Sequence, residues 1–143
     1  MPHPQPRPPD PARHQRRGRW AEARVLALLQ ANGWRPLARN WRCRWGELDL
    51  VLAKPDRLLL VEVKGRGPAS RDGAGRAALR GPKRMRLQRA WACWLAAHPG
   101  WAECPVELVA ALVPLPPAGG PVRWLRLEVA GGGQGQRQSR RGS

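Results

Sequence analysis

Asp49, Glu62 and Lys64 are the residues of this chain whose types and spacing could do chemistry, and they share the stretch GELDLVLAKPDRLLLVEVKGR, residues 46–66. Two carboxylates set among leucines and valines repel each other, and apolar surroundings screen that repulsion poorly. A hard divalent cation offsets it. Mg²⁺ takes oxygen ligands at about 2.0–2.1 Å, uses one or two protein carboxylates, and leaves its other positions to water and substrate phosphate. Lys64 then sits within reach of a metal-bound water or of the phosphate, as a compact charge whose proton affinity its surroundings can tune. Only three of the 26 basic residues are lysine (Lys54, Lys64 and Lys83), so lysine is the minority choice.

A hairpin must position this set. ELDLVLA and RLLLVEVK read as strands joined around Pro55–Asp56, a good turn pair. A turn symmetric about that pair opposes Asp49 to Glu62 and Glu47 to Lys64. All four then share one face, with directly opposed β-carbons roughly 4.5–5.5 Å apart. A solvated hairpin face would explain D-x12-E-x-K on spacing alone. The run LLLVEV, apolar on both faces up to Glu62, is instead how a buried central strand looks.

The flanking elements follow from periodicity. Residues 19–32 read as a helix whose stripe is Ala21, Val25, Leu28 and Leu29, with Asn32–Gly33 as its stop. Glu22 falls on the border of that stripe beside Leu26 and Leu29. WRPLARNWRCRW reads as an extended segment ending at a turn on Gly46, and residues 65–80 as a glycine- and arginine-rich loop. A second helix is expected from Lys83 to His98, with Leu87, Ala90, Trp91, Trp94 and Leu95 inward and Pro99–Gly100 ending it. VELVAALV and VRWLRLEVA make two further strands around the turn-rich PLPPAGG. The order α-β-β-β-α-β-β gives an α/β fold, a mixed central sheet flanked by helices.

Composition narrows the partner. Residues 1–18 are rich in Pro and Arg, and residues 131–143 in Gly, Gln and Arg; both read as disordered basic tails around one domain at 19–130. Of the net charge of +16, four Arg and one Asp in the first tail and three Arg in the second account for +6, leaving +10 on the domain. A domain this basic favours a polyanion, most simply nucleic acid, over an acidic membrane, for which no basic amphipathic helix is present. Neither a signal sequence nor a transmembrane-length run is visible, so the expected location is the cytoplasm. Cys43, Cys93 and Cys104 are odd in number and widely spaced, which argues against a zinc site or a disulfide framework.

GRWAEARVLALLQANGWRPLARNWRCRWGELDLVL and LLLVEVKGR resemble the bacterial YraN-like family, over roughly residues 17–112. That family is similar to the PD-(D/E)xK nuclease superfamily and, within it, to Holliday junction resolvases. The resemblance implies a restriction endonuclease-like core that cuts phosphodiester bonds in DNA with Mg²⁺ or Mn²⁺. Asp49 matches the superfamily's aspartate, Glu62 and Lys64 its E-x-K, and Glu22 the helix glutamate of the resolvase-like branch. The implied catalytic set is therefore Glu22, Asp49, Glu62 and Lys64, with Asp49 and Glu62 on the metal and Glu22 completing its shell directly or through water. Glu47, in the family's GE pair, is a supporting residue. Lys83 matches a lysine at the start of the second helix. Two departures stand out: Leu60 replaces an aromatic before VEVK, and VELVAALV lacks the Arg and Asp of the family's RFDVVAV strand.

Basic residues around the site read as a phosphate track, and Arg39, Asn40, Arg42, Arg66, Lys83 and Arg86 are its expected nucleic-acid contacts. Such contacts give salt-dependent affinity without sequence preference. Structure-selective or nonspecific binding is expected, with branched or damaged DNA among the candidate substrates, and DNA ranks ahead of RNA. A non-catalytic nucleic-acid binder of the same fold, in DNA uptake, repair or ribosome association, is the alternative. Oligomeric state is not legible, and a homodimer stays open.

Overall fold

The computed structural model describes residues 11–67 and 81–127, the side chains of Arg13 and His14 excepted. Helix α1 (Pro11–Ala31) leads into three strands, β1 (Arg35–Cys43), β2 (Gly46–Lys54) and β3 (Arg57–Arg66). Helix α2 (Pro82–Ala97) and a short 3₁₀ turn (Pro99–Trp101) precede β4 (Val106–Pro114) and β5 (Arg123–Leu127). The order is the α-β-β-β-α-β-β expected from the sequence.

The five strands lie in the order β1-β2-β3-β4-β5, with β3 and β4 parallel and every other pair antiparallel. A parallel pair needs a crossover, and α2 supplies it. β3 is the central strand, and the two helices cover opposite faces of the sheet. Leu59, Val61, Val109, Ala111 and Val113 pack with Ala21, Val25 and Leu29 of α1. Leu58, Leu60, Leu108 and Ala110 pack with Leu87, Ala90 and Trp94 of α2. Burial on both sides is why LLLV carries no polar alternation. The edge strands β1 and β5 carry the charge instead, with Arg35, Arg39 and Arg42 on one and Arg123 and Arg126 on the other, which blunts strand addition.

The hairpin register is the expected one, with Leu50↔Val61, Val51↔Leu60, Leu52↔Leu59, Ala53↔Leu58 and Lys54↔Arg57 paired about Pro55–Asp56. The stop at Asn32–Gly33 also forms, with the backbone N–H groups of Asn32 and Trp34 both donating to the Leu29 carbonyl.

Two details of α1 differ from the sequence reading. The helix starts at Pro11, not Arg19, so residues 11–18 of the expected tail are helical. Proline is well placed in a first turn, and Ala12, Gln15, Arg16 and Arg17 are good helix formers that carry no apolar pattern to announce themselves. The buried stripe is also turned: Leu28 is 39% exposed while Leu26 packs against the core. Glu22, between Leu29 and Leu26 on the helical wheel, therefore lies inside the stripe rather than on its border. Residues 1–10, the loop residues 68–80, the end of the last expected strand and the expected tail 131–143 lie outside the described residues.

Candidate active site

The paired ladder of β2 and β3 ends at Leu50↔Val61, and Asp49 and Glu62 are the next residues on each strand. In place of a further backbone bond, the Val63 N–H donates to Asp49 Oδ2 at 2.8 Å. The aspartate side chain thus fills the point where the two strands part. Burial pushes its pKa up to about 6, with the charges of Glu22 and Glu47 adding to the rise and the Val63 N–H and Lys64 opposing it.

Glu62 sits deeper in the same conflict. Burial first, and then the nearby Asp49 charge, raise its carboxyl to about 8 against the opposing pull of Lys64 and the Asp49 backbone N–H. Its Oε1 is buried and has no hydrogen-bond partner. Lys64, one alternation further along β3, is lowered below the ordinary ammonium range, first by burial and then by contact with Lys83 and its charge. A depressed lysine gives up its proton more readily, as a base acting on water requires.

Glu62 and Lys64 line a cavity of about 210 Å³ together with Gly46, Glu47, Lys83, Arg86 and Leu87. Three of the four hairpin residues expected on one face meet there, and Lys83 and Arg86 arrive opposite them from α2. Asp49 is not among the lining residues; this corrects the single-face expectation. Its carboxylate is held by Val63 in the seam between the strands, because the backbone donor left free where the ladder ends is its nearest partner.

Glu22 enters through β1. The pairs Arg39↔Leu50 and Trp41↔Leu48 leave Asn40 across from Asp49. Asn40 adopts a left-handed backbone (φ 49°), which asparagine tolerates better than most residues, and its Nδ2 donates to Glu22 Oε2 at 3.0 Å. Asn40, expected on the nucleic acid, thus spends its amide on tethering α1 to the site. Arg42, expected there too, meets Glu47 at 3.5 Å. Arg39 and Arg86 are exposed, and Arg66 is partly buried at the end of β3.

A divalent cation fits the donor set. Two carboxylates whose pKa values are both raised, one with a buried oxygen lacking any partner, are short of positive charge, and one or two carboxylates are what Mg²⁺ takes from a protein. Among the described residues no three His, Cys, Asp or Glu side chains are grouped to hold a metal. Glu22 lies near enough for its charge to help raise the pKa of Asp49. The sequence reading missed the Lys64–Lys83 contact; the scarcity of lysine was the signal available for it. Trp45, against which Arg44 and Arg89 stack at 4.4 and 4.9 Å from the ring centroid, gave no signal.

Comparison with known proteins places the chain. A UPF0102 protein of Prochlorococcus marinus (strain MIT 9303) is 51% identical over 113 residues, covering 79% of this chain and 90% of that protein. A UPF0102 protein of Synechococcus sp. (strain CC9902) is 48% identical, covering 80% and 95%. One of Pseudomonas entomophila (strain L48) is 42% identical, covering 76% and 89%. Residues 21–113, which include Glu22, Asn40, Asp49, Glu62, Lys64 and Lys83, match the Uncharacterised protein family UPF0102. On that match and those identities the chain belongs to the UPF0102 family, the YraN-like family its sequence resembles.

Proposed function

We propose that this protein is a metal-dependent endonuclease that hydrolyses phosphodiester bonds in DNA in the cytoplasm, with preference for structure over sequence. The observation that carries the reading is the crowding of Asp49 and Glu62 at the parting of β2 and β3, both short of counter-charge, beside a cationic cavity. The likeness of D-x12-E-x-K to the PD-(D/E)xK nucleases supports DNA as the substrate.

In this reading Asp49 and Glu62 hold Mg²⁺ or Mn²⁺. When bound, the metal supplies Lewis acidity and a bound water of lowered pKa. Val63 fixes one Asp49 oxygen and leaves the other to act as a donor atom. Glu22, steadied by Asn40, adds negative potential that strengthens cation binding. Lys64, its proton loosened by burial and by Lys83, orients or deprotonates the attacking water. Lys83 and Arg86, across the cavity, bind the phosphate and steady the charge that develops on it.

A second reading, a non-catalytic nucleic-acid binder, draws on the lack of a third grouped acid among the described residues. One experiment separates the two. Purified protein is incubated with Mg²⁺ or Mn²⁺ and labelled duplex, single-stranded, flap and four-way DNA, with a duplex RNA beside them. Cleavage of at least one DNA is expected, with loss of at least about 10²-fold in Asp49→Asn and Glu62→Gln while binding persists. Binding to every substrate without cutting any would establish the second reading.

A further inference from the structure

We propose that Arg44, Trp45 and Arg89 form a phosphate clamp beside the reactive cavity, holding the sugar–phosphate backbone of the bound DNA strand. The proposal rests on the nucleic-acid partner of the function above, not on its cutting chemistry.

Arg44 and Trp45 are the two-residue connection between β1 and β2, closed by the pair Cys43↔Gly46. That turn is docked on α2. Gly46 has φ 152°, and a β-carbon built on it would lie 3.8 Å from both Arg86 Cβ and the Arg86 carbonyl oxygen. Trp45 is partly buried, and the Arg44 and Arg89 guanidinium carbons lie 4.4 and 4.9 Å from its ring centroid. Both arginines are exposed, and among the described residues neither pairs with a carboxylate. The acid on the same hairpin, Glu47, is already engaged by Arg42 at 3.5 Å.

Two guanidiniums drawn to one indole without an acid between them repel unless an anion joins them. Guanidinium presents a planar fork of donors that matches phosphate, and stacking on an aromatic ring holds the fork still at little expense in hydrogen bonds. Arg89 also continues a row. Lys83, Arg86 and Arg89 are three residues apart on α2, so the row runs about 9 Å along the helix axis. A duplex strand places one phosphate per 3.4 Å of its axis, so the row covers about three phosphates. Its first two members line the cavity with Glu62 and Lys64, and its third meets Trp45. A strand with one phosphate in the cavity therefore meets the clamp one or two phosphates further on. Charge alone reads that contact, so the clamp adds affinity without base preference.

The test is binding of a fluorescent mixed-sequence duplex by anisotropy, in EDTA, over a series of salt concentrations. Arg44→Ala and Arg89→Ala are each expected to weaken binding several-fold and to reduce the log–log salt slope by about 1. Trp45→Ala should weaken binding as much as the double arginine variant, with Trp45→Phe restoring most of it. If Trp45→Ala folds poorly, the two exposed arginines still decide the matter. An unchanged slope and affinity in the double arginine variant overturns the clamp, even where Asp49-dependent cleavage is seen. A reduced slope in a protein that cuts nothing sustains the clamp and overturns the nuclease reading. No binding by the parent protein overturns both.

Discussion

Glu62 is held in surroundings that favour its neutral form, and this ties the proposed metal binding, the pH and the stability of the domain together. Its carboxyl goes from an ordinary 4.5 to about 8 on folding, and that of Asp49 from 3.8 to about 6. The sign follows from proton counts. Between about pH 4 and pH 8 the folded state keeps protons that the unfolded state has released, so metal-free stability falls as pH rises through that window. Glu62→Gln, which cannot ionise, should therefore melt above the parent at pH 8 and level with it at pH 4. For a chain of this size each kcal/mol gained appears as roughly 3 °C by calorimetry. A divalent cation competes with those same protons, so Mg²⁺ should raise the melting temperature more at pH 8 than at pH 6, and should not raise that of Glu62→Gln. Equal stabilisation at both values would show that the ion binds elsewhere. The crowding of Asp49, Glu62 and Lys64 was legible in residue types because lone acids on a leucine-rich strand demand a reason. The pairing of Asn40 with Glu22 was not, since it joins a helix to an edge strand 18 residues away through a left-handed backbone that no pattern marks.

The hairpin's register was legible because Pro55–Asp56 fixes its turn and a period-2 pattern then fixes everything else. The pattern fails at one place. Leu48 packs on the α2 side while Leu50 and Leu52 pack on the α1 side, although even-numbered residues should share a face. That break lies beside Asn40 and Asp49 and sets the Asp49 side chain in the seam rather than on the cavity wall. The end of β3 is tight as well: a β-carbon on Gly65 would come within 3.0 Å of both Leu115 methyl groups. Gly65→Ala should cost about 1–3 kcal/mol in denaturant unfolding, because Leu115 is buried and has little room to give. With Lys64 next in chain, the proposed cleavage should fall with it. Trp94 makes a complementary case. It is fully buried, stacks on Trp91 and His98, and its indole N–H has no partner. Trp94→Phe loses no hydrogen bond and should be tolerated, whereas Trp94→Ala should cost about 3–5 kcal/mol by the same measurement.

Across the whole molecule, charge is arranged against the acids of the site. Net charge is +16, yet Glu22, Glu47, Asp49 and Glu62 gather at one end of the sheet with Lys64, Lys83 and Arg86 around them. In the proposed function a polyanion would be drawn to the molecule by the sum and brought to the acids by the local cations, where a bound metal would let its phosphate approach. Binding should weaken steeply with salt, log K falling linearly against log salt. Deleting residues 131–143 removes Arg137, Arg140 and Arg141. It should lower that slope by no more than about 3 and leave cleavage in place, since each lost charge releases about one counterion. No helix among the described residues is long and apolar enough to cross a membrane.

By itself the sequence determined the order of elements, the hairpin register, the inward face of α2 and the residue types able to do chemistry. Each of these rests on local terms: turn propensity, periodicity, and the rarity of charge in an apolar run. Only the tertiary structure decided that α2 carries Lys83 and Arg86 to face Glu62 and Lys64, that Asn40 tethers Glu22, and that Asp49 lies in the seam while Glu62 keeps an oxygen without a partner. Those arrangements come from a crossover and from packing between residues far apart in the chain, and no spacing along a single strand or helix encodes them.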